Sequence, residues 1–489
     1  MAKHWIVRLG LIFIALTVAM PIFAEEELVF WNFWDTELIA PVIEKFEAEN
    51  PGVKIRNEQL TWNNGLDKII VSMANNRAPD ICEMGSTWMG KFMSEGALLD
   101  VTDKFSDLKD KYLMWEPVQM NGRLYGMPWL VGTRVVFYNK DLLAKAGLDP
   151  EKPPVTWQQF LDACKAIHNP KEGVFGFGMN AGEGHILYKK FLPLAWGNGA
   201  KVLDENGNFV FDSQEMREAL EYYLELQKYS YCEKQDLLDE AFKQGRLGLA
   251  ISGSWNFSRY PIEAPNLNFG TCLMPKPAEN KGFSTAFMGG EILVLFKSCK
   301  NPDLAAKFVR YIAEAQNTLP ITKKAWTSFP ASVETYSDEC FSDPRLQVFF
   351  EQMKTSIHPP VCKNWIELEN IINKTVEKAM YGESIDAAFA SARSEYEGII
   401  ARQKNISNNQ PLSSNSNLQA TNNEAKSIRQ NANVDGQTIE NERQTNIPSV
   451  PSTYSLPFSL TLLLSLIGVG TLINAVLMAF ILYELKKKD

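Results

Sequence analysis

Tryptophan, with 12 of the 489 residues, is the side chain in this sequence best suited to bind a small molecule. Its flat ring stacks on the apolar faces of sugars, while nearby carboxylates, amides and arginines fix the hydroxyl groups. The alternative for any single tryptophan is an ordinary place in the hydrophobic core. The sequence therefore favours a site for a polyhydroxylated ligand wherever such rings lie beside polar groups.

Residues suited to catalysis or metal binding form no recognisable pattern. His4, His168, His185 and His358 lie in unrelated segments without a partner nucleophile, and SGS at 252–254 is not the GxSxG motif of hydrolases. The seven cysteines are scattered and contain no CxxC pair, and their odd number leaves at least one unpaired. The sequence predicts no enzyme, no metal site and no cofactor.

The first hundred residues after the N-terminal segment alternate between strand-like and helix-like patterns. Apolar runs at 28–34 and 80–82 are typical of buried strands, and apolar residues at helical spacing lie between them. This alternation favours a mostly parallel sheet covered on both faces, in which ligands bind beyond the carboxyl ends of the strands. The strand ends give these predicted ligand contacts: Trp34, Asp35, Met84, Ser86, Thr87 and Trp88. Trp88 is alternatively the start of the helix behind its strand.

The segment 121–160 contains the clearest local patterns in the chain. The pair at 121–122 is Asn-Gly, which favours a tight turn, and 135–138 is a β-branched and aromatic run that predicts a buried strand. Asn139 or Asp141 is a suitable N-cap for the next helix. In TWQQ at 156–159, Thr156 and Gln159 have the spacing of a capping box at the start of a second helix. One strand followed by two helices is therefore predicted here.

The same segment resembles a known family. The order YGMPW, VVFYNKDLLAKAGL and PPVTWQQF is similar to that of the family 1 extracellular solute-binding proteins of bacterial and archaeal ABC importers, which include maltose-binding and glycerol-3-phosphate-binding proteins. The resemblance extends from about Glu26 to Gln403. It implies a two-lobed, hinged α/β fold of the periplasmic-binding-protein type II class, with crossings between the lobes near Thr133, Gly289 and Phe329.

The resemblance also implies residues that contact the ligand between the lobes. Trp255, in GSW, lies where a GPW motif of the maltose-binding protein stacks on its ligand, and Trp365, in NWIELENII, is the analogous residue of a later segment. Trp129, Thr133 and Arg134 follow YGMP on the segment that the family places at the cleft rim. Arg134 alternatively forms an ion pair on a lobe surface.

Two further loops are implied in the site. The loop NAGEGH corresponds to a family loop that supplies a carboxylate and an aromatic ring to the ligand. Glu183 corresponds to the carboxylate. His185 stands in place of the expected tyrosine, and Tyr188 is the alternative source of the aromatic ring. Gly289 and Gly290 permit close approach of the backbone to a ligand, and a plain hinge turn is the alternative.

The two ends of the chain predict export and a membrane anchor. Residues 1–24 have the basic start, apolar run and small final residue of a secretory signal, and the apolar segment 457–483 is long enough to cross a bilayer before three lysines. The predicted organisation is a signal (1–24), lobe 1 (25–133 and 291–328), lobe 2 (134–290 and 329–403), a flexible linker (404–456), a transmembrane helix (457–483) and a cytoplasmic tail (484–489).

The formal net charge of −9 argues against a nucleic acid partner. The expected protein is therefore an extracytoplasmic binding component, anchored in the cytoplasmic membrane, that delivers a carbohydrate or polyol to ABC permease subunits. One alternative is a ligand-sensing ectodomain that works with a separate membrane signalling protein, and another is a secreted carbohydrate-active enzyme.

Overall fold

The computed structural model of the protein describes residues 25–408, which form two lobes, each built around one β-sheet. In chain order the strands are β1 (Glu26–Asn32), β2 (Val53–Gln59), β3 (Ile81–Gly85), β4 (Gln119–Met120), β5 (Arg123–Leu124), β6 (Met127–Thr133), β7 (Val135–Asn139), β8 (Phe175–Asn180), β9 (Ser230–Glu233), β10 (Leu247–Ser252), β11 (Phe269–Cys272), β12 (Met288–Leu295) and β13 (Phe329–Pro330).

Helices cover both sheets. In chain order they are α1 (Thr36–Glu49), α2 (Gly65–Ala74), α3 (Met89–Ser94), α4 (Thr102–Phe105), α5 (Lys140–Lys145), α6 (Trp157–Ile167), α7 (Tyr188–Gly197), α8 (Gln214–Gln227), α9 (Gln235–Lys243), α10 (Trp255–Glu263), α11 (Pro302–Ala313), α12 (Ala315–Ala325), α13 (Pro344–Met353), α14 (Trp365–Met380) and α15 (Ile385–Asn408). Short 3₁₀ turns connect several of them.

Both sheets are mixed, which differs from the mostly parallel sheet that the alternating pattern predicts. In the six-stranded sheet, of order β13-β6-β12-β3-β1-β2, the parallel pairs are β1 with β2 and β1 with β3, and the other strands pair antiparallel. In the five-stranded sheet, of order β11-β7-β10-β8-β9, only β8, β9 and β10 pair parallel to one another. Parallel pairing occurs where a strand, a helix and a strand follow one another, whereas strands that arrive from the other lobe join antiparallel.

The chain passes from one sheet to the other at a single residue. β6 ends at Thr133 in the first sheet and β7 begins at Val135 in the second, so that Arg134 alone joins them. The chain returns to the first sheet at Met288, where β12 begins. Both places lie between the lobes, where a hinged closure requires them.

Local sequence patterns explain several element boundaries. The side chain of Asn139, rather than that of Asp141, caps α5, accepting from the backbone N–H groups of Asp141 and Leu142. The predicted capping box between Thr156 and Gln159 is confirmed at the start of α6.

Other local predictions have mixed outcomes. Asn121 and Gly122 both adopt positive φ in the predicted turn between β4 and β5, as a two-residue hairpin turn requires. The sequence also predicts that Asp212 and Glu215 cap α8, and this prediction is wrong: Ser213 is the N-cap, and its hydroxyl accepts from the Met216 N–H group.

Each sheet is buried against its helices. Leu28, Phe30 and Ile81 of the first sheet and Val136, Phe177 and Leu249 of the second are at most 2% exposed. All seven cysteines, which lie between Cys82 and Cys362, are free thiols. Buried apolar side chains form one cluster around each sheet, and a third cluster joins Val131 of the first sheet to Val135 and Phe137 of the second.

Both ends of the chain lie outside the part described. The predicted signal, the predicted membrane helix and tail, and all but the first residues of the predicted linker fall there. α15 extends to Asn408 and so includes the first residues of the predicted linker. Among residues 25–408, no helix combines the length and apolar character needed to cross a membrane.

Candidate functional site

A cavity of about 520 Å³ lies between the two lobes. The loops after β1 and β3 and the strand ends around Arg134 and Gly289 form part of its lining. The second lobe contributes the loop after β8 and the first residues of α9 and α10. Strand ends and loops of two sheets therefore face one enclosed space, the arrangement expected of a ligand site between lobes.

Most residues singled out in the sequence line this cavity. They are Trp34, Asp35, Ser86, Thr87, Thr133, Arg134, Glu183, His185, Trp255, Gly289 and Gly290. They come from segments far apart in the chain. The fold therefore brings them together, although their individual contacts with a ligand stay predictions.

The remaining candidates, Met84, Trp88, Trp129, Tyr188 and Trp365, lie outside the lining. Trp129 is completely buried and its Nε1 donates to Thr318 Oγ1 at 3.2 Å, and Trp365 is 1% exposed with its Nε1 donating to Glu369 Oε1 at 2.8 Å. Met84 is buried in β3, and Trp88 lies behind His185, with ring centroids 6.1 Å apart. These side chains support the walls of the cavity from behind.

Aromatic rings form two walls of the cavity. In the second lobe Trp255 begins α10, is partly buried, and donates from Nε1 to Asp239 Oδ2 at 2.7 Å. In the first lobe Phe33 and Trp62 stack with centroids 4.0 Å apart and planes inclined by 15°. Trp62 is 42% exposed, which is unusual for tryptophan and leaves its ring available to a ligand.

Phe33 lies within the strand end, residues 31–35, that the sequence places at the site, although it is not among the individual contacts predicted there, whereas sequence reasoning missed Trp62. Trp62 follows the end of β2, where the same strand-end rule that selects Trp34 also applies. Other lining residues that it missed include Glu83, Lys189, Gln235, Arg259, Phe287 and Glu291. Lys189 lies in helix α7, whose residues up to Gly197 are all buried. The sequence alone therefore does not show that Lys189, unlike most of its neighbours in the helix, lines the cavity.

One wall contains a chain of polar contacts. Lys189 Nζ is 2.8 Å from His185 Nε2, and His185 Nδ1 is 3.5 Å from Glu369 Oε2. Burial and the nearby Lys189 lower the pKa of His185, so the ring is neutral at pH 7, accepts from Lys189 at Nε2 and presents Nδ1–H to Glu369. Tyr188 also donates its hydroxyl to Glu369, at 2.6 Å. The polar chain fixes the position of the Lys189 amino group.

Burial raises the pKa of two acids of the first lobe that line the cavity, Glu83 and Glu291. Burial, followed by the charge of Glu291, raises the pKa of Glu83 well above its usual range, although its carboxylate accepts from Phe33 N–H at 2.8 Å. Burial raises the pKa of Glu291 to about 7. Oε2 of Glu291 is buried and has no hydrogen-bond partner among the described residues. The Glu291 carboxyl therefore offers a hydrogen bond to a ligand.

Arg134 has an environment unlike that of a surface arginine. Its guanidinium carbon lies 5.7 Å from the ring centre of Trp255 and 5.4 Å from that of Phe287. Burial lowers its pKa to about 10, and Nε has no hydrogen-bond partner within the described part of the chain. The guanidinium keeps its charge at pH 7. It faces the cavity rather than a carboxylate on a lobe surface.

Among residues 25–408, no group of three or more His, Cys, Asp or Glu side chains is placed to hold a metal ion. The lining instead combines rings with separate donors and acceptors. Such a surface binds a small polar molecule through stacking and hydrogen bonds.

Comparison with curated proteins identifies relatives over most of the described chain. A binding protein of Brucella abortus (strain 2308) is 24% identical over 372 residues, covering 73% of this chain and 88% of its own. The sn-glycerol-3-phosphate-binding periplasmic protein UgpB of Escherichia coli O6:K15:H31 is 27% identical over 355 residues, covering 64% of this chain and 79% of its own.

Solved structures share the fold. The sugar-binding protein MalE of Xanthomonas citri has a TM-score of 0.68 at 24% identity, covering 79% of this chain and 100% of its own. A solute-binding protein of Thermotoga lettingae bound with alpha-D-tagatose also has a TM-score of 0.68, at 23% identity, covering 75% of this chain and 97% of its own. The two-lobed α/β fold is therefore that of the periplasmic binding proteins.

A family model described as bacterial extracellular solute-binding protein matches residues 35–318, more than half of the chain. The matched region includes the whole second sheet, the first sheet except β1 and β13, and most of the cavity lining. This chain belongs to the family 1 bacterial extracellular solute-binding proteins of ABC importers.

Proposed function

We propose that the protein is the extracytoplasmic substrate-binding component of an ABC importer and that it takes a carbohydrate or polyol into the cavity between its lobes. The observation that supports this most directly is that aromatic rings of both lobes, Trp255 in one and Phe33 with Trp62 in the other, line the same cavity together with polar side chains. Rings that stack on a pyranose and polar groups that meet its hydroxyls are the two requirements of a sugar site.

The relatives agree with this ligand class. UgpB is by name a glycerol-3-phosphate-binding protein, MalE is a sugar-binding protein, and the Thermotoga protein was crystallised with a ketohexose. We extend these ligands to this chain only as a class. Import through permease subunits follows from the role of the family, and anchoring by residues 457–483 remains part of the proposal.

The experiment is a thermal-shift screen of the protein against monosaccharides, oligosaccharides and polyols. A ligand that binds only the native state stabilises it by mass action and so raises the melting temperature. At a ligand concentration of a hundred times Kd, the free energy of unfolding increases by about 2.7 kcal/mol. We expect at least one carbohydrate to do so. A screen in which carbohydrates leave the melting temperature unchanged, while a non-carbohydrate solute raises it, would contradict the proposal.

A sensory ectodomain is the second candidate, because the same cavity would serve it equally well. Binding data do not separate the two roles. An uptake assay separates the two roles. If the protein serves an importer, cells that lack it no longer accumulate the labelled ligand. If it is a sensor, cells that lack it still accumulate the ligand and change only in their response to it.

A further inference from the structure

The cavity contains two cations that lack a counter-ion among the described residues. Arg134, at the crossing between the sheets, forms no ion pair there, and its Nε is buried without a hydrogen-bond partner. Lys189 is 8% exposed, and its ammonium group donates to the neutral imidazole of His185 rather than to a carboxylate. Both lie against one ring, that of Phe287, with the guanidinium carbon at 5.4 Å and the ammonium nitrogen at 5.2 Å from its centre.

Three other charged groups in the lining already have partners. Glu183 accepts from Asn180 Nδ2 and from Gln235 N–H, both at 2.9 Å, at the start of α9. Arg259, which also lines the cavity, pairs with Glu263 at 3.3 Å. Glu83 accepts from the backbone of Phe33. Arg134 and Lys189 are therefore set apart as lining cations that form no salt bridge with a described residue, although the charges of Glu183 and Glu291 act on both from a greater distance.

Holding two like charges in a partly dry cavity is expensive. A buried ion without a salt bridge costs several kcal/mol of stability. Burial, followed by the charge of Arg134, lowers the pKa of Lys189 to about 7, although the charges of Glu369, Glu291 and Glu183 oppose this shift. An anion between them removes both costs, and the planar guanidinium suits a two-oxygen acceptor. The free energy regained then appears as ligand affinity.

We propose that the ligand is an acidic carbohydrate whose carboxylate or phosphate binds between Arg134 and Lys189 while one of its hydroxyls bonds to Glu291 Oε2. This inference rests on the proposed function, because it names the substrate class of the same cavity. The carboxyl of Glu291 lies on β12, and its unpaired Oε2 suits the uncharged end of such a molecule. A neutral sugar would leave both cations without an anion.

The test compares acidic sugars with their neutral counterparts on the full-length protein, by thermal shift and calorimetry. The pairs are D-glucuronate with its methyl ester and D-glucose 6-phosphate with D-glucose, and inorganic phosphate is the anion alone. We expect the acidic member of at least one pair to bind at least tenfold tighter, with an affinity that falls as sodium chloride is raised. The carboxylate and phosphate pairs decide which anion is preferred.

Variants connect the preference to the two cations. Arg134→Gln and Lys189→Gln should each lower affinity for the acidic sugar at least tenfold and remove its salt dependence. Arg310→Gln is the matched control, because it neutralises a cation that pairs with Asp107 and lies outside the cavity lining, and it should leave the affinity within about twofold. Without ligand, the first two variants should melt no lower than the parent, because the charges they remove have no partner.

The outcomes separate this inference from the proposed function. Neutral sugars that bind as tightly as acidic ones, or an unchanged affinity in Arg134→Gln and Lys189→Gln, would overturn the anion site and leave carbohydrate binding intact. Inorganic phosphate that binds through both cations, with no sugar binding at all, would support the anion site and overturn the carbohydrate. Failure of every acidic probe, or a clear drop in the ligand-free melting temperature of both variants, also counts against the inference.

Discussion

Trp255 is the residue on which the stacking hypothesis depends most. Its ring is only partly buried, one face lies beside Arg134, and its N–H group is held by Asp239. Trp129 and Trp365, by contrast, are enclosed by apolar neighbours and satisfied by Thr318 and Glu369. The sequence could not separate these rings, because all three occur in similar apolar segments and only the packing of the lobes decides which one faces the cavity.

Trp255→Leu should therefore weaken ligand binding at least about tenfold, or roughly 1.4 kcal/mol, while the ligand-free melting temperature falls by only a few degrees. Titration calorimetry with the ligand found in the screen measures the first effect. Trp157→Leu is the control, because Trp157 is also partly buried and stacks on Tyr222, with centroids 4.4 Å apart, but lies outside the cavity. Retained affinity in Trp255→Leu would remove this ring from the site.

Acidity should strengthen the binding of D-glucuronate, whose carboxylate stays ionised near neutral pH. Lys189, with a pKa of about 7, gains its charge as the pH falls through 7, and Glu291, also with a pKa of about 7, loses its own. Both changes favour an anion, so affinity should fall as the pH rises from 6 to 8. The charged or titratable groups around Lys189 are His185, Glu183, Arg134, Glu291 and Glu369.

Calorimetry at pH 6, 7 and 8 checks this dependence. In Lys189→Gln the slope should shrink, because the group at position 189 no longer titrates, whereas Arg310→Gln should retain the full slope. An affinity that rises with pH in the parent protein would contradict the assignment of the anion to Lys189.

At the scale of elements, local chemistry made some boundaries predictable and left others open. The capping box of α6 and the Asn-Gly turn depend on neighbours within a few residues, so the sequence contains all the information they need. The relative direction of paired strands does not depend on such close neighbours. β12 pairs antiparallel with β3, about 200 residues earlier, and no local pattern in either strand specifies this long-range pairing.

The turn between β10 and α10 aims Trp255 into the cavity, and Gly253 makes this possible. A Cβ atom at position 253 would overlap the indole ring, so Gly253→Ala must push the ring aside. We expect a loss of ligand affinity similar to that of Trp255→Leu, with a destabilisation of about 1–3 kcal/mol from overpacking. Calorimetry and thermal melting measure the two effects.

Gly398→Ala in α15 is the matched control, because the nearest atom to an added Cβ there is Arg402 Nη1 at 3.9 Å. It should leave affinity unchanged and raise stability by roughly 0.5–1 kcal/mol, since glycine weakens a helix interior. Equal effects of the two substitutions on affinity would mean that the turn does not position the ring.

For the whole molecule, the described chain should be sufficient for folding and binding. α15 is part of the second core: Phe389 is 1% exposed and Ala392 is 3% exposed, and the Phe389 ring meets that of Phe211 at 5.3 Å. A chain of residues 25–408 should therefore keep the melting temperature and ligand affinity of the full-length protein. A chain of residues 25–382, which lacks α15, should melt much lower, because loss of a buried Phe alone costs about 3–5 kcal/mol.

Scanning calorimetry of the two chains checks this prediction. Equal melting temperatures for the two would show that α15 is an accessory. A marked loss of stability in residues 25–408 would show instead that residues outside the described range support the lobes.

The central claim is that the ligand binds between the lobes, against Trp255 on one side and Phe33 with Trp62 on the other. A crystal structure of the protein with the tightest ligand from the screen tests it most directly. The account predicts electron density for that ligand in the cavity, with a ring stacked on Trp255 and an anionic group between Arg134 and Lys189. Density elsewhere, for example in the groove lined by Val155, Thr271 and Glu351, with the interlobe cavity empty, would contradict it.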